Sequence, residues 1–186
     1  MATRLLLLCC SATLSARSGG FPGRDEPLDE GGLAKARRRS LGRDPDIVLC
    51  SPARAATETA IAMGLEAAVE ERLADMDFGR WEGRSFAEIH AGEPDMLERW
   101  IAKPEAGAPS GEAFGDVRRR IRRWLSDLEG IERSVVAITH PSVIRAVLAE
   151  ALKLSDRSAM CFDIAPLSAT ILSFNRGWRM QVLRGG

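Results

Sequence analysis

Two histidines occur in this chain of 186 residues. One of them, His140, follows the apolar run Val135–Ile138 and precedes Pro141-Ser142-Val143-Ile144-Arg145, a good helix start. The pattern predicts a buried strand that delivers an imidazole to the C-terminal edge of a parallel sheet, where open α/β proteins place their ligand crevice. Imidazole is the side chain whose charge changes near neutral pH, so His140 is the best-placed chemical group in the sequence. The plain alternative is a histidine satisfied within a loop.

The four cysteines, Cys9, Cys10, Cys50 and Cys161, form no CxxC pair and show no metal-ligand spacing. No metal and no cofactor are expected, and the chain reads as a reduced, cytoplasmic protein. Adjacent Cys9 and Cys10 face opposite sides of a sheet if both lie on a strand. A competing reading makes Met1–Ala16 a secretory leader, with Arg4 ahead of the apolar core Leu5–Cys10. That core sits at the short limit for such a segment, and a first strand explains it as well. No later segment approaches the length of a membrane span.

Lys plus Arg balance Asp plus Glu at 26 each, hydrophobic residues make up 45% and charged residues 28%. No global charge favours a nucleic acid or an acidic membrane, so any anion site is local. The basic runs Lys35–Arg39 and Arg118–Arg123 fall in helical patterns and read as solvated helix faces rather than a nucleic-acid patch. The length suits one domain, residues 1–186, burying about 70% of its unfolded surface.

The elements that must carry His140 follow from periodicity. A first strand leads to a Gly/Pro/Ser-rich loop over Ser18–Pro27 and a helix over Asp29–Ser40. A strand over Asp46–Cys50 and a helix over Ala53–Met63 come next, then a short strand near Ala67–Val69 and an irregular segment, Leu73–Gly83. Helical patterns cover Ser85–His90 and Asp95–Ala102, and a loop spans Lys103–Gly111. A longer helix over Ala113–Leu128 has Phe114, Val117, Ile121, Trp124, Leu125 and Leu128 on one stripe. After the His140 strand and a helix over Ser142–Leu152 come segments at Ala159–Ile164, Ala169–Phe174 and Trp178–Leu183. The last two form a hairpin around Asn175-Arg176-Gly177. The alternation predicts an α/β three-layer sandwich with a mostly parallel central sheet flanked by helices.

Several landmarks, in order, resemble the histidine phosphatase superfamily, also called phosphoglycerate mutase-like. The family begins with a strand ending in Arg-His-Gly, where this chain has Cys9-Cys10-Ser11, and its Pro-Leu-Thr-x-x-Gly helix start corresponds to Pro27-Leu28-Asp29-Glu30-Gly31-Gly32. Its Ser-Ser-Pro-Leu-x-Arg-Ala-x-x-Thr-Ala is matched by Cys50-Ser51-Pro52-Ala53-Arg54-Ala55-Ala56-Thr57-Glu58-Thr59-Ala60. Leu73-Ala74-Asp75-Met76-Asp77-Phe78-Gly79-Arg80-Trp81-Glu82-Gly83 resembles its Leu-x-Glu-x-x-Phe-Gly-x-Trp-Glu-Gly. Pro109–Phe114 resembles its Gly-Gly-Glu-Ser loop, and Thr139-His140 its Thr-His-Gly-Gly-Val-Ile-Arg element.

The resemblance implies an enzyme in which the first histidine attacks phosphorus, two arginines and the second histidine hold the phosphoryl oxygens, and a carboxylic acid protonates the leaving oxygen. Carried over residue by residue, the nucleophile position is Cys10, the first arginine Cys9, the second arginine Ala55, the acid Asp75 and the second histidine His140. Deleting one preorganised donor costs about 3 kcal/mol in phosphoryl transfer, so losing both arginines is crippling. Cysteine is a possible nucleophile, but the Cys-x5-Arg phosphate loop is absent: Arg17 stands one place too late. Replacement cations are Arg54, which the helix turns away from the family position, and Arg17 and Arg24 on the loop over the site.

The chain is therefore expected to bind a small anionic or phosphorylated ligand, or a protein partner, with phosphohistidine chemistry lost or strongly reduced. The alternative is an active phosphomonoesterase using Cys10 or a water activated by His140. A third reading is an interaction module with contacts on helix surfaces such as Asp95–Ala102. A weaker likeness in Thr-His-Pro-x-Val-Ile-Arg and Ala165-Pro166-Leu167 is to a bacterial branch associated with cobalamin genes, implying a ribazole-phosphate-like substrate. The oligomeric state is not legible.

Overall fold

The inner runs of the central strands, Leu5–Cys9 and Val135–Ile138, are apolar because both their faces are covered. A computed structural model describes residues 2–42, 44–103 and 105–184. The ends of the expected 1–186 domain, and Pro104 in the expected 103–111 loop, lie outside those residues. In chain order the elements are β1 (Thr3–Cys9), α1 (Leu14–Ser18), α2 (Glu30–Arg38), β2 (Ile47–Cys50), α3 (Arg54–Ala62) and β3 (Ala68–Val69). Then follow α4 (Phe86–Gly92), α5 (Pro94–Ala102), α6 (Phe114–Leu128), β4 (Ser134–Thr139), α7 (Pro141–Leu152), α8 (Asp156–Met160), β5 (Ala169–Phe174) and β6 (Trp178–Arg184).

The sheet order is β3-β2-β4-β1-β5-β6. Strands β1 to β4 run parallel, β5 runs against β1, and β6 runs against β5. Helices α6 and α7 cover one face over Leu5, Leu7, Val135 and Ala137, while α2 and α3 cover the other over Leu8, Val136 and Ile138. This is the expected three-layer sandwich. A smaller cluster of Phe21, Trp81, Ile89, Leu97 and Ala108 fills the end where α4 and α5 pack.

The α6 stripe is buried as its periodicity predicts, with all six apolar residues inside. The basic run on the same helix is not a uniformly solvated face. Arg118 reaches across to Asp156 and to Glu150, at 2.7 Å, and Arg122 reaches Glu150 at 2.8 Å. Glu150 lies in α7 with only 6% of its side chain exposed, so these guanidinium groups answer a carboxylate that the α6–α7 packing takes out of water.

Two segments take a form that periodicity left unassigned. The Ala159–Ile164 segment is the end of α8 followed by irregular chain, because Ser155 caps a helix there through Ser158 N–H. The expected Ser18–Pro27 loop is preceded by the one-turn α1, capped by Thr13. The segment before the aromatic cluster is irregular as expected, with 3-10 turns at Glu71–Leu73 and Gly79–Trp81.

Loops 77–79 and 109–111 touch backbone to backbone at the mouth of the sheet edge. Gly79 has φ +53°, and a Cβ there would lie 2.3 Å from the Pro109 carbonyl oxygen. Substitution therefore meets both a left-handed backbone and a fixed obstacle. Gly79→Ala is expected to lower the urea-unfolding free energy by at least about 2 kcal/mol. A loss of under about 0.5 kcal/mol would contradict this packing.

Candidate functional site

The register brings the chemistry together. β1 pairs with β4 so that Cys9 faces Thr139, and β4 pairs with β2 so that Ile138 faces Cys50. The ladders continue past the strand ends: Cys10 N–H donates to Thr139 O at 2.7 Å, and Ser51 N–H to Ile138 O at 2.9 Å. Cys10, His140 and Ser51 therefore stand side by side at the C-terminal edge, with His140 in the middle. Neighbouring strands are about 4.8 Å apart, close enough for a central imidazole to touch both neighbours.

It does so. His140 Nε2 is 2.8 Å from Ser51 Oγ, and Nδ1 is 3.5 Å from Cys10 Sγ. Nδ1 is also 3.5 Å from Asp75 Oδ2. Burial opposes charge on this imidazole, but the Asp75 carboxylate more than offsets it, and the pKa is pushed up to about 9. At neutral pH both ring nitrogens carry protons: Nε2–H donates to Ser51, and Nδ1–H points between Asp75 and Cys10. The Cys10 thiol is held well above its ordinary pKa by the adjacent Cys9 thiol and by burial. It is a protonated thiol, and a thiol is a poor nucleophile.

Asp75 is committed as well. Its Oδ1 accepts from the Ser142 hydroxyl and, at 2.8 Å, from Met76 N–H. Its carbonyl accepts from Arg120 at 3.0 Å. The carboxylate in the acid position is thus aimed at His140 and Ser142 by contacts from α6 and α7.

The edge opens onto a cleft of about 1190 Å³. Cys9, Cys10, Ala55, Asp75, His140 and Arg24 line it, whereas Arg17 and Arg54 do not. Arg17 pairs with Asp29, and Arg54 with Glu58 at 2.7 Å. Arg24 stands exposed at the rim, 3.6 Å from Glu71. Cys9 and Cys10 pack into core clusters on opposite faces of the sheet, as adjacent strand residues should. Pro141, in the place of the first glycine of Thr-His-Gly-Gly, begins α7 without an N–H to offer an anion.

Residues not singled out from sequence also line the cleft. Arg120 and Arg145 do, and so do Phe78, Phe86 and Trp100. Arg120 is engaged by Glu112 at 3.1 Å and by the Arg72 carbonyl at 2.6 Å. Arg145 donates to Phe162 O at 2.9 Å; burial lowers its pKa, and nearby Asp163 opposes that shift. Ser51 was legible in principle, since it ends its strand run as His140 does. Arg120 and Arg145 were not, because helical spacing alone does not say which face of a helix meets the sheet edge.

A sandwich with an imidazole at this strand end and a carboxylate beside it defines the phosphoglycerate mutase-like class, and the comparisons agree. The model of the histidine phosphatase superfamily (branch 1) matches residues 11–184, opening one residue past Cys10. An acid phosphatase of Mycobacterium tuberculosis is 31% identical over 191 residues, 98% of this chain and 92% of that protein. A bifunctional protein of Mycobacterium tuberculosis is 35% identical over 161 residues, 81% of this chain but 44% of its own length, so the chain spans less than half of that relative. Among solved structures, a mycobacterial glucosyl-3-phosphoglycerate phosphatase complexed with VO3 is 29% identical with a TM-score of 0.88, covering 98% of this chain and 99% of that one. The alpha-ribazole phosphatase of Shigella flexneri shares the fold at 22% identity, with a TM-score of 0.87 over 98% of this chain and 96% of that one. The chain belongs to the histidine phosphatase superfamily.

The paired imidazolium has a measurable signature. Its folded pKa of about 9 lies above the unfolded value near 6.5, so its contribution to stability is complete below pH 6.5 and is lost as pH rises through about 9. An NMR titration of the His140 ring is expected to show a midpoint near 9. In Asp75→Asn, where burial loses its main opponent, the midpoint should fall to 7 or below, a drop of about two units. A wild-type midpoint below 7 would contradict the pairing.

Proposed function

We propose that this chain is a ligand-binding member of the histidine phosphatase superfamily that has given up phosphohistidine chemistry. One observation carries the reading: the position of the attacking histidine is Cys10, a protonated thiol set against the imidazolium of His140. Phosphoryl transfer depends on cations arranged around the equatorial oxygens. Both clamp positions, Cys9 and Ala55, are uncharged here, and Pro141 removes a backbone donor. Each lost donor costs about a hundredfold in rate, so the two arginine positions alone account for about 10⁴. The retained cleft supports a binding role.

A second reading, an active phosphomonoesterase, draws on relatives named as acid phosphatase and glucosyl-3-phosphoglycerate phosphatase. It would use Cys10 as nucleophile or a water activated by His140. Neither has help in the site, since the thiol is held protonated and the protonated imidazole has no free lone pair to act as a base.

The deciding assay uses p-nitrophenyl phosphate and a panel of phosphomonoesters, including a ribazole phosphate and a glucosyl phosphoglycerate. The expected rate is about 10⁴ below that of a relative with both arginines. Cys10→Ala and His140→Ala should leave any residual rate unchanged. Saturable turnover abolished by either substitution would establish the second reading.

A further inference from the structure

The cleft has kept its carboxylates while losing cations. Among the described residues, six carboxylates line it against three guanidinium groups. Most of these charges are answered: Arg120 by Glu112, Arg24 by Glu71, the His140 imidazolium by Asp75, and Arg145 by nearby Asp163. Three cleft carboxylates, Glu26, Asp77 and Glu82, have no cationic partner among the described residues.

Glu82, at an exposed position, makes no side-chain hydrogen bond or ion pair among the described residues, and its pKa is raised by desolvation and then by the neighbouring carboxylates Asp77, Asp75 and Asp25, which shows the crowding of negative charge there. One of the three carries a mark of unmet need. Glu26 accepts from Ser15 N–H with Oε1 at 2.8 Å, but its Oε2 is buried with no hydrogen-bond partner. An unpaired buried carboxylate oxygen loses its hydration without compensation, which a cation or donor in the cleft would restore.

The same cleft holds an aromatic wall. Phe78, Phe86 and Trp100 line the cleft and interlock, with Phe78 to Trp100 at 6.3 Å and Phe86 to Trp100 at 6.4 Å between ring centroids. Phe86 is 37% exposed. Aromatic faces next to uncompensated carboxylates attract weakly hydrated organic cations, and a dianion brought to the same place meets repulsion.

We propose that the cleft binds a small organic cation, an alkylammonium or quaternary ammonium group on an apolar body, seated between the aromatic wall and Glu82, Asp77 and Glu26. This rests on the reading that the cleft no longer turns over phosphate esters. The selectivity is the reverse of that expected from the family resemblance: losing the anion clamp changes the sign of the preferred ligand.

The test is calorimetric titration of the intact chain with benzyltrimethylammonium chloride, with benzyl alcohol as neutral comparison and inorganic phosphate as anion. The cation is expected to bind saturably, more weakly in high salt, and the alcohol and phosphate not at all. Glu82→Gln and Phe86→Leu, both at exposed positions, should each weaken cation binding about tenfold with little change in thermal midpoint. Asp77→Asn gives a second carboxylate check. Equal binding of alcohol and cation, or binding of neither, would overturn this inference and leave the proposed loss of catalysis standing. Tight phosphate binding that displaces the cation, with turnover in the phosphatase assay, would overturn both.

Discussion

The imidazole of His140 is the hinge of this site, because its surroundings are dictated by strand register rather than by choice of side chain alone. A residue at the end of β4 lies between the ends of β1 and β2, and whatever occupies those ends becomes its neighbour. Here the neighbours are a thiol and a hydroxyl, and the loop after the 3-10 turn at Glu71–Leu73 adds the Asp75 carboxylate. Two effects compete on the ring. Burial disfavours charge and the carboxylate 3.5 Å away favours it, and the carboxylate wins. The outcome is a cluster closed on itself: imidazolium, carboxylate, serine hydroxyl and thiol satisfy one another.

That closure lets the scaffold stand with uncharged residues at Cys9, Cys10 and Ala55. Cys9 and Cys10 are small, apolar and soft, and they pack as core residues at positions where a charged arginine and an imidazole would otherwise need polar partners. Ala55 is likewise buried in the wall of α3, where Thr59 bonds its carbonyl at 2.6 Å and receives Ser11 N–H at 3.0 Å. None of these contacts needs a bound anion. The sheet, its two helical layers and the cleft therefore stand independently of the chemistry that relatives place there, as expected where function is grafted onto a fold.

Much of this was readable from residues. The β4 run and the α6 stripe fixed the sheet edge and one helical layer through periodicity alone. The strand-end positions of Cys10 and His140 followed from the same patterns. What could not be read was direction. Helical spacing already turned Arg54 away, and it pairs with Glu58; between Arg17 and Arg24 on the loop no pattern chose, and only three-dimensional packing turns Arg17 to Asp29 while leaving Arg24 at the rim. Arg118 looked like part of a solvated face because helical periodicity does not reveal that α7 brings Glu150 beneath it. The aromatic wall draws Phe78, Phe86 and Trp100 from three separate segments, whose meeting depends on tertiary packing that no local pattern encodes.

The claim that no phosphoryl group can be taken up by this cluster is tested most directly by trapping. The intact protein is incubated with a small reactive phosphoryl donor such as phosphoramidate, quenched in alkali to preserve phosphoramidate and thiophosphate bonds, and weighed by mass spectrometry beside a relative that retains Arg-His-Gly. The account predicts an unmodified mass for this chain and a phosphorylated one for the relative. An added phosphoryl group on His140 or Cys10 would contradict it.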